Sequence, residues 1–254
     1  MNYALVGHGR MGREVGRQAD ARGHRRVAVF DPGKGDGTLD PRRMKGARLA
    51  FEFTVPDAAE GNVSALLEAG ISVVSGTTGW EPSSSLRALA ERGAAAFILA
   101  PNYSIGVHLF LRIAEQAARS FGVLGLHDPF VQEAHHRDKI DAPSGTARRL
   151  ASLVVDADPR LDSVVEGHPD GRLPSGKLQV VSTRAGAEPG THRVGWDGEH
   201  ELVTLEHRAR GRTGFALGAV LAAEWLEGRS GLHEFDEVLD AFVRREIHTR
   251  GETT

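Results

Sequence analysis

Residues 133–147, EAHHRDKIDAPSGTA, place two histidines, a lysine, several carboxylates and a Ser-Gly-Thr turn within fifteen positions. Burying so polar a stretch as packing alone is costly, so it reads as a site. An imidazole at His135 can give or take a proton near neutral pH, and an ammonium at Lys139 can hold a carboxylate or polarise an imine. Ser144, Gly145 and Thr146 lie just ahead of a helical stretch, where backbone N–H groups and a hydroxyl can meet an anion. Together they describe a pocket for a small acid that exchanges a proton. His135 and His136 could instead ligate a metal with Glu133 and Asp138 or Asp141. Adjacent strand residues point to opposite faces, however, which makes joint chelation awkward, and no metal is expected.

A second chemical motif opens the chain. Gly7, Gly9 and Gly12 in GHGRMG form a GxGxxG directly after an apolar run at residues 3–6 and before a helical stretch at 10–22. Missing side chains let the backbone turn tightly and approach a pyrophosphate, whose charge meets the free N–H groups of the helix terminus. Asp31 closes a second apolar run, at residues 27–30, where an acidic side chain can accept hydrogen bonds from the adenosine ribose of NAD. A 2′-phosphate there would be repelled unless a base compensates. No arginine follows immediately, although Arg10 and Lys34 are near in sequence. The reading prefers NADH and leaves NADPH open.

The elements that must position these groups alternate at first. Strands at residues 3–6, 27–30, 49–53, 71–74 and 95–99 are interleaved with helices at 10–22, 57–68 and 82–92, after a Gly-rich loop at 32–37. That order gives βαβ units and a Rossmann-type parallel sheet with helices on both faces. Beyond Leu99 a long helix at 104–121 is expected to bury Ile105, Leu109, Ile113 and Ala117. Short apolar runs at 129–132, 178–181, 193–196 and 202–205, interrupted by one helix at 144–156, suggest an α+β unit with a mostly antiparallel sheet. Helical composition returns at 213–226 and 233–245 and should pack back on the first domain. The expected division is 1–103 with 214–254, and 104–213, with hinges at 102–106 and 208–214.

Composition narrows the partners. The chain of 254 residues has a formal net charge of -3 and carries 40% hydrophobic and 26% charged residues. Its pI of about 6.5 provides no positive field for nucleic acid or an anionic membrane. With no cysteine there are no disulfides or thiolate metal sites. No leader or membrane span is read, so a cytoplasmic protein is expected. Of the 12 histidines, His24, His168, His192 and His248 are read as surface or loop residues. Trp80, Trp196 and Trp225 read as core or interface, and residues 199–212 as a solvated strand and turn.

EAHHRDKIDAPSGTA resembles the signature of the 4-hydroxy-tetrahydrodipicolinate reductase family. The likeness continues in chain order through FEFTVPDAA, SGTTGW, APNYSIGVHLF and LEHRARGRTGFALGAVLAAEWL. Two features depart from the family pattern: GHGRMG is one residue shorter than the usual loop, and Glu52 stands where many members have Asp. The resemblance implies that His135 is the proton donor or acceptor and Lys139 a second donor that attracts substrate carboxylate. It also implies substrate contacts from His136, Gly145 and Thr146. Nucleotide contacts would come from Gly7, His8, Gly9, Arg10, Met11, Gly12, Asp31, Gly76, Thr77, Thr78, Ala100, Pro101, Asn102 and Tyr103. The implied reaction is conjugate reduction of a cyclic unsaturated imine formed by loss of water, on the diaminopimelate route to lysine. NAD(P)H gives hydride to C4 and an acid quenches charge at C3, with closure about the hinges excluding water. A small cyclic dicarboxylate is the implied substrate and a homotetramer the implied assembly. Two rivals remain: another dehydrogenase of the same plan, and an idle homologue that senses dinucleotide.

Overall fold

The computed structural model describes residues 1–31, 38–44 and 46–251, with side chains as far as 244. The loop at 32–37 with Lys34, and the side chain of His248, lie outside the described residues. The chain forms two compact units, one comprising Met1–Ile105 with the segment from Arg212 onward, the other Gly106–Gly211. No helix of the described residues is long and apolar enough to cross a membrane.

In the first unit six parallel strands run in the order β11-β5-β4-β3-β1-β2. They are β1 (Asn2–Val6), β2 (Arg25–Phe30), β3 (Leu49–Glu52), β4 (Ser72–Ser75), β5 (Ala96–Leu99) and β11 (Gly231–His233). Residues 3–6 are wholly buried because β1 is covered on both sides, and its alternation sorts them into two cores. Tyr3 and Leu5 join Phe51, Val74 and Ile98 against α1 (Arg10–Ala21), α6 (Thr213–Trp225) and α7 (Phe235–Gly251). Ala4 and Val6 join Ala50, Val73 and Phe97 against α2 (Pro56–Glu68) and α3 (Ser84–Arg92). Pro56 sits in the first turn of α2, where a missing N–H costs nothing. Ser83 caps α3 by accepting a hydrogen bond from the Leu86 N–H at 3.2 Å. Sequence reading missed β11, only three residues long, and the 3-10 helix Pro41–Met44.

The second unit has a five-stranded sheet in the order β10-β9-β6-β8-β7. Its strands are β6 (His127–His135), β7 (Ser163–Glu166), β8 (Lys177–Arg184), β9 (Thr191–Gly198) and β10 (Leu202–Arg208). The sheet is mixed. β9 runs antiparallel to β6 and β10, whereas β8 runs parallel to β6 and β7. β6 and β7 lie on either side of β8 and run the same way, so the chain must cross over between them, and α5 (Gly145–Ala157) makes that crossover. Val131, Val180, Val194 and Trp196 on one face of this sheet pack with Val107, Leu111 and Ala114 of α4 (Ile105–Leu124) and with Leu150 and Val154 of α5. Here one expectation is corrected. The buried face of α4 holds Val107, His108, Phe110, Leu111, Ala114 and Ala118, while Leu109 and Ile113 are 37% and 56% exposed. The two stripes sit at similar spacing on one apolar helix, so periodicity alone chose the wrong side.

Candidate active site

Helices on both faces leave the C-terminal edge of the parallel sheet as the place where loops can reach a ligand, and the strand order reverses between β1 and β3. Gly7 sits there with a positive φ of 94°, and a Cβ on it would fall 2.1 Å from the Phe53 carbonyl oxygen. A Cβ on Gly12, in the first turn of α1, would fall 2.0 Å from the Gly7 carbonyl oxygen. Both positions therefore exclude any side chain. Gly9 occupies the N-cap of α1 without a side-chain cap, Arg10 begins the helix, and His8 and Met11 are half-buried beside it. Uncapped N–H groups at a glycine turn suit a pyrophosphate. Asp31 directly follows β2 and is half-buried.

The same edge carries the other expected nucleotide contacts. Gly76 follows β4 and lies against the Phe53 ring, where a Cβ would come within 2.1 Å. Thr77 is buried and Thr78 exposed; with Trp80, Leu99 and Pro101 they line a cleft of about 370 Å³. Ala100, Asn102 and Tyr103 follow β5, and the Tyr103 hydroxyl donates to the Ser75 carbonyl at 2.7 Å. Glu52 organises this edge, which sequence reading noted only as a departure from a family pattern. Wholly buried at the end of β3, its carboxylate accepts from Ser75 Oγ at 2.6 Å, Thr77 Oγ1 at 2.8 Å and the Thr54 N–H at 3.1 Å. It thereby ties residues 53–54 to residues 75–77.

In the second unit the alternation of β6 turns Val131, Glu133 and His135 to the helix-covered face. Apolar packing at Val131 thus gives way to charge two and four residues later. The Glu133 carboxylate hydrogen-bonds His135 Nδ1 and accepts from Arg184 Nη2 on β8 at 2.7 Å and from the Ser144 N–H at 3.3 Å. Burial works to raise the Glu133 carboxyl, but the hydrogen bonds from His135 and Arg184 outweigh it and hold the group well below the usual carboxylate range. His192 of β9, expected at the surface, is instead buried and meets His135 edge to face at 5.2 Å between ring centroids. Burial and then the neighbouring His135 charge push His192 down to about 4, which keeps it neutral. Its Nε2 lies 3.1 Å from Ser144 Oγ, which also caps α5 by accepting from the Ala147 N–H at 3.2 Å.

This network brings His135 to the first turn of α5, where Gly145 is exposed and Thr146 half-buried. A Cβ on Gly145 would touch nothing within 4 Å, so the space above the helix start is open. His136 is half-buried on the next residue, and Lys139 pairs with Asp141 at 2.6 Å. Among the described residues no group of three or more His, Cys, Asp or Glu is placed to hold a metal ion. Arg184 and His192 have no local sign in sequence, since they lie 51 and 59 residues beyond Glu133 and arrive through strand register. Of the other histidines read as peripheral, His168 is exposed, while His24 is half-buried and bonded to Glu224 at 2.8 Å. Trp196 is wholly buried.

A glycine turn at the switch point of a parallel sheet, with a buried imidazole and carboxylate in a separate unit, defines a nicotinamide-dependent oxidoreductase. Residues 1–103 match the family described as dihydrodipicolinate reductase, N-terminus, and residues 106–239 match dihydrodipicolinate reductase, C-terminus. The chain belongs to the dihydrodipicolinate reductase family. It is 33% identical over 240 residues to a 4-hydroxy-tetrahydrodipicolinate reductase of Christiangramia forsetii, covering 94% of this chain and 98% of that one. It is 35% identical over 262 residues to a 4-hydroxy-tetrahydrodipicolinate reductase of Archaeoglobus fulgidus, covering 94% and 100%. The dipicolinate-bound dihydrodipicolinate reductase from Paenisporosarcina sp. TG-14 shares the fold, with a TM-score of 0.74 over 92% of this chain and 97% of that one at 23% identity.

Proposed function

We propose that this chain reduces 4-hydroxy-tetrahydrodipicolinate to tetrahydrodipicolinate with loss of water, on the diaminopimelate route to lysine, using His135 as the proton-exchanging group. The first unit takes the dinucleotide, at residues 7–12, 31, 76–78 and 100–103. The second takes the substrate and forms the contacts of a homotetramer. A bound nicotinamide supplies the hydride. His135 gives the proton that quenches charge on the neighbouring ring carbon, and Lys139 attracts a ring carboxylate and serves as second donor. Gly145 and Thr146 meet a carboxylate with the N–H groups and hydroxyl of the first turn of α5, and His136 adds a further contact.

One observation carries this reading: His192 and Ser144 link the His135 imidazole to the start of α5, so an acid and an anion-binding terminus share one buried face. NADH is the preferred reductant, because Asp31 beside the adenosine ribose would repel a 2′-phosphate. His135→Ala should lower kcat by about 10²-fold or more, the ordinary scale of acid–base catalysis. Lys139→Ala should lower kcat and also raise KM for the dicarboxylate. Steady-state rates with NADH and NADPH test all three points: wild-type rates in both variants would overturn the site, and a strong NADPH preference would overturn the cofactor choice.

A further inference from the structure

The His135 ring is held at its Nδ1 edge. Its Nδ1 meets the Glu133 carboxylate, while a Cβ on Gly190 would fall 2.9 Å from its Nε2. A side chain at position 190 would therefore collide with the second ring nitrogen, and the bare Gly190 leaves that edge its room. A carboxylate that stays ionised accepts hydrogen bonds and donates none, so the nitrogen facing it must carry the proton. Glu133 is kept in that form from two directions, by Arg184 and by the backbone N–H of Ser144. Arg184 Nη2 donates as well to the Asp141 carbonyl, at 2.5 Å. One buried carboxylate thus joins the imidazole to the loop at residues 141–144 that opens α5.

We propose that Glu133 is the positioning residue of this site, fixing His135 in its Nδ1–H tautomer so that Nε2 alone exchanges the proton. The inference rests on the role given to His135 under Proposed function. In the acid form both ring nitrogens carry hydrogen. The N–H bond at Nε2 breaks, its proton forms a C–H bond with the ring carbanion, and a neutral imidazole remains with Nδ1–H still on Glu133. The charged and titratable groups around His135 are Glu133 on its own strand, Arg184 on β8 through Glu133, and His192 on β9, which in turn feels His207 of β10 and Lys139 of the loop after β6. His192 cannot substitute for Glu133, since a neutral imidazole in edge contact does not choose between the two tautomers.

The test pairs steady-state kinetics with 15N-edited NMR of the imidazole nitrogens, the His135 signals being assigned by their loss in His135→Asn. In wild type on the alkaline side of its titration, His135 should show a protonated Nδ1 and a bare Nε2. Glu133→Gln keeps the shape but offers an amide that can donate or accept, so the tautomer should become mixed. Its kcat should fall about 30- to 100-fold, with KM for the dicarboxylate changing less than about threefold, the pattern expected when an acid is misoriented and binding is intact. A Glu133→Gln enzyme with a single Nδ1–H tautomer and kcat within threefold of wild type would overturn the proposal. So would a wild-type His135 protonated at Nε2, a result that stands even if the variant does not fold. If His135→Ala is slow while Glu133→Gln is not, Glu133 loses its role and His135 keeps its own; if His135→Ala is as fast as wild type, the reading of the site itself fails.

Discussion

At the C-terminal edge of the parallel sheet the close approaches are made by bare backbone. Gly7, Gly12 and Gly76 each lie where a Cβ would come within about 2.1 Å of another atom. On β6 and its neighbours in the second unit the close contacts belong to side chains: Glu133 and His192 are 3% and 5% exposed, and the charge of Glu133 is met by Arg184. The first region should tolerate almost no added volume at these glycines. The second should tolerate changes of shape better than changes of charge, because taking one partner from a buried ion pair leaves the other uncompensated.

Arg184→Met is the most damaging break of that contrast. It keeps much of the apolar stem and removes the guanidinium that meets Glu133 at 2.7 Å. Loss of one member of a buried pair should cost about 3 to 5 kcal/mol of unfolding free energy. The pH dependence sharpens the point. A carboxyl held below its ordinary value of 4.5 stabilises the fold above that pH, and this stability is lost as pH falls through the depressed folded value. Urea denaturation at several pH values should show a steeper acid loss in wild type than in Arg184→Met, and parallel curves would count against Arg184 as the group that holds Glu133 ionised.

Gly12→Val probes the other region. Its new side chain would meet the Gly7 carbonyl, so the turn must open. Overpacking of this kind costs about 1 to 3 kcal/mol, and under the proposed role of this turn it should weaken NADH binding by up to about a hundredfold. A fluorescence titration with NADH measures this. A Kd within threefold of wild type would mean that the turn does not need a bare backbone at Gly12. The same variant should bind pyridine-2,6-dicarboxylate as wild type does if that ring diacid is recognised through β6 and α5.

The difference in materials also explains what could be read in the sequence. Gly7, Gly9 and Gly12 are spaced by a requirement local to one turn, and the turn and its helix stand where the pattern puts them. The alternating strands of the first unit were legible for the same reason, since each is an apolar run between turns. EAHHRDKIDAPSGTA announced a site by its polarity, but not its circuit. Arg184 reaches Glu133 through the pairing of β6 with β8, and His192 stands opposite Glu133 through the pairing of β6 with β9. Register of that kind is a tertiary property, so a lone His192 in a polar stretch resembled a surface residue. The α4 stripe failed for a related reason: Val107, Leu111 and Ala114 and the chosen Ile105, Leu109 and Ile113 are both apolar rows, and only the sheet they meet decides between them.

The finest discrimination comes from His192→Phe, which keeps a ring against His135 while removing both the titration and the contact with Ser144 Oγ. The His192 imidazole is lowered from 6.5 to about 4 in the fold, first by burial and then by the His135 charge. An unfolded chain therefore takes up this proton at a higher pH than the folded one. The sign follows: the stability is full above pH 6.5 and falls as pH drops toward 4, by an amount on the order of 2 to 3 kcal/mol. Replacing the imidazole should flatten that portion of the stability curve and leave the loss below about pH 4.5 that belongs to Glu133. Near pH 8 the variant should lose only about 1 kcal/mol, the scale of a single neutral hydrogen bond. Chemical denaturation from pH 8 down to pH 4 resolves the two contributions. An unchanged slope between pH 6.5 and 5 would show that His192 is not the imidazole kept neutral beside His135, and the charge balance of the second region would then need another source.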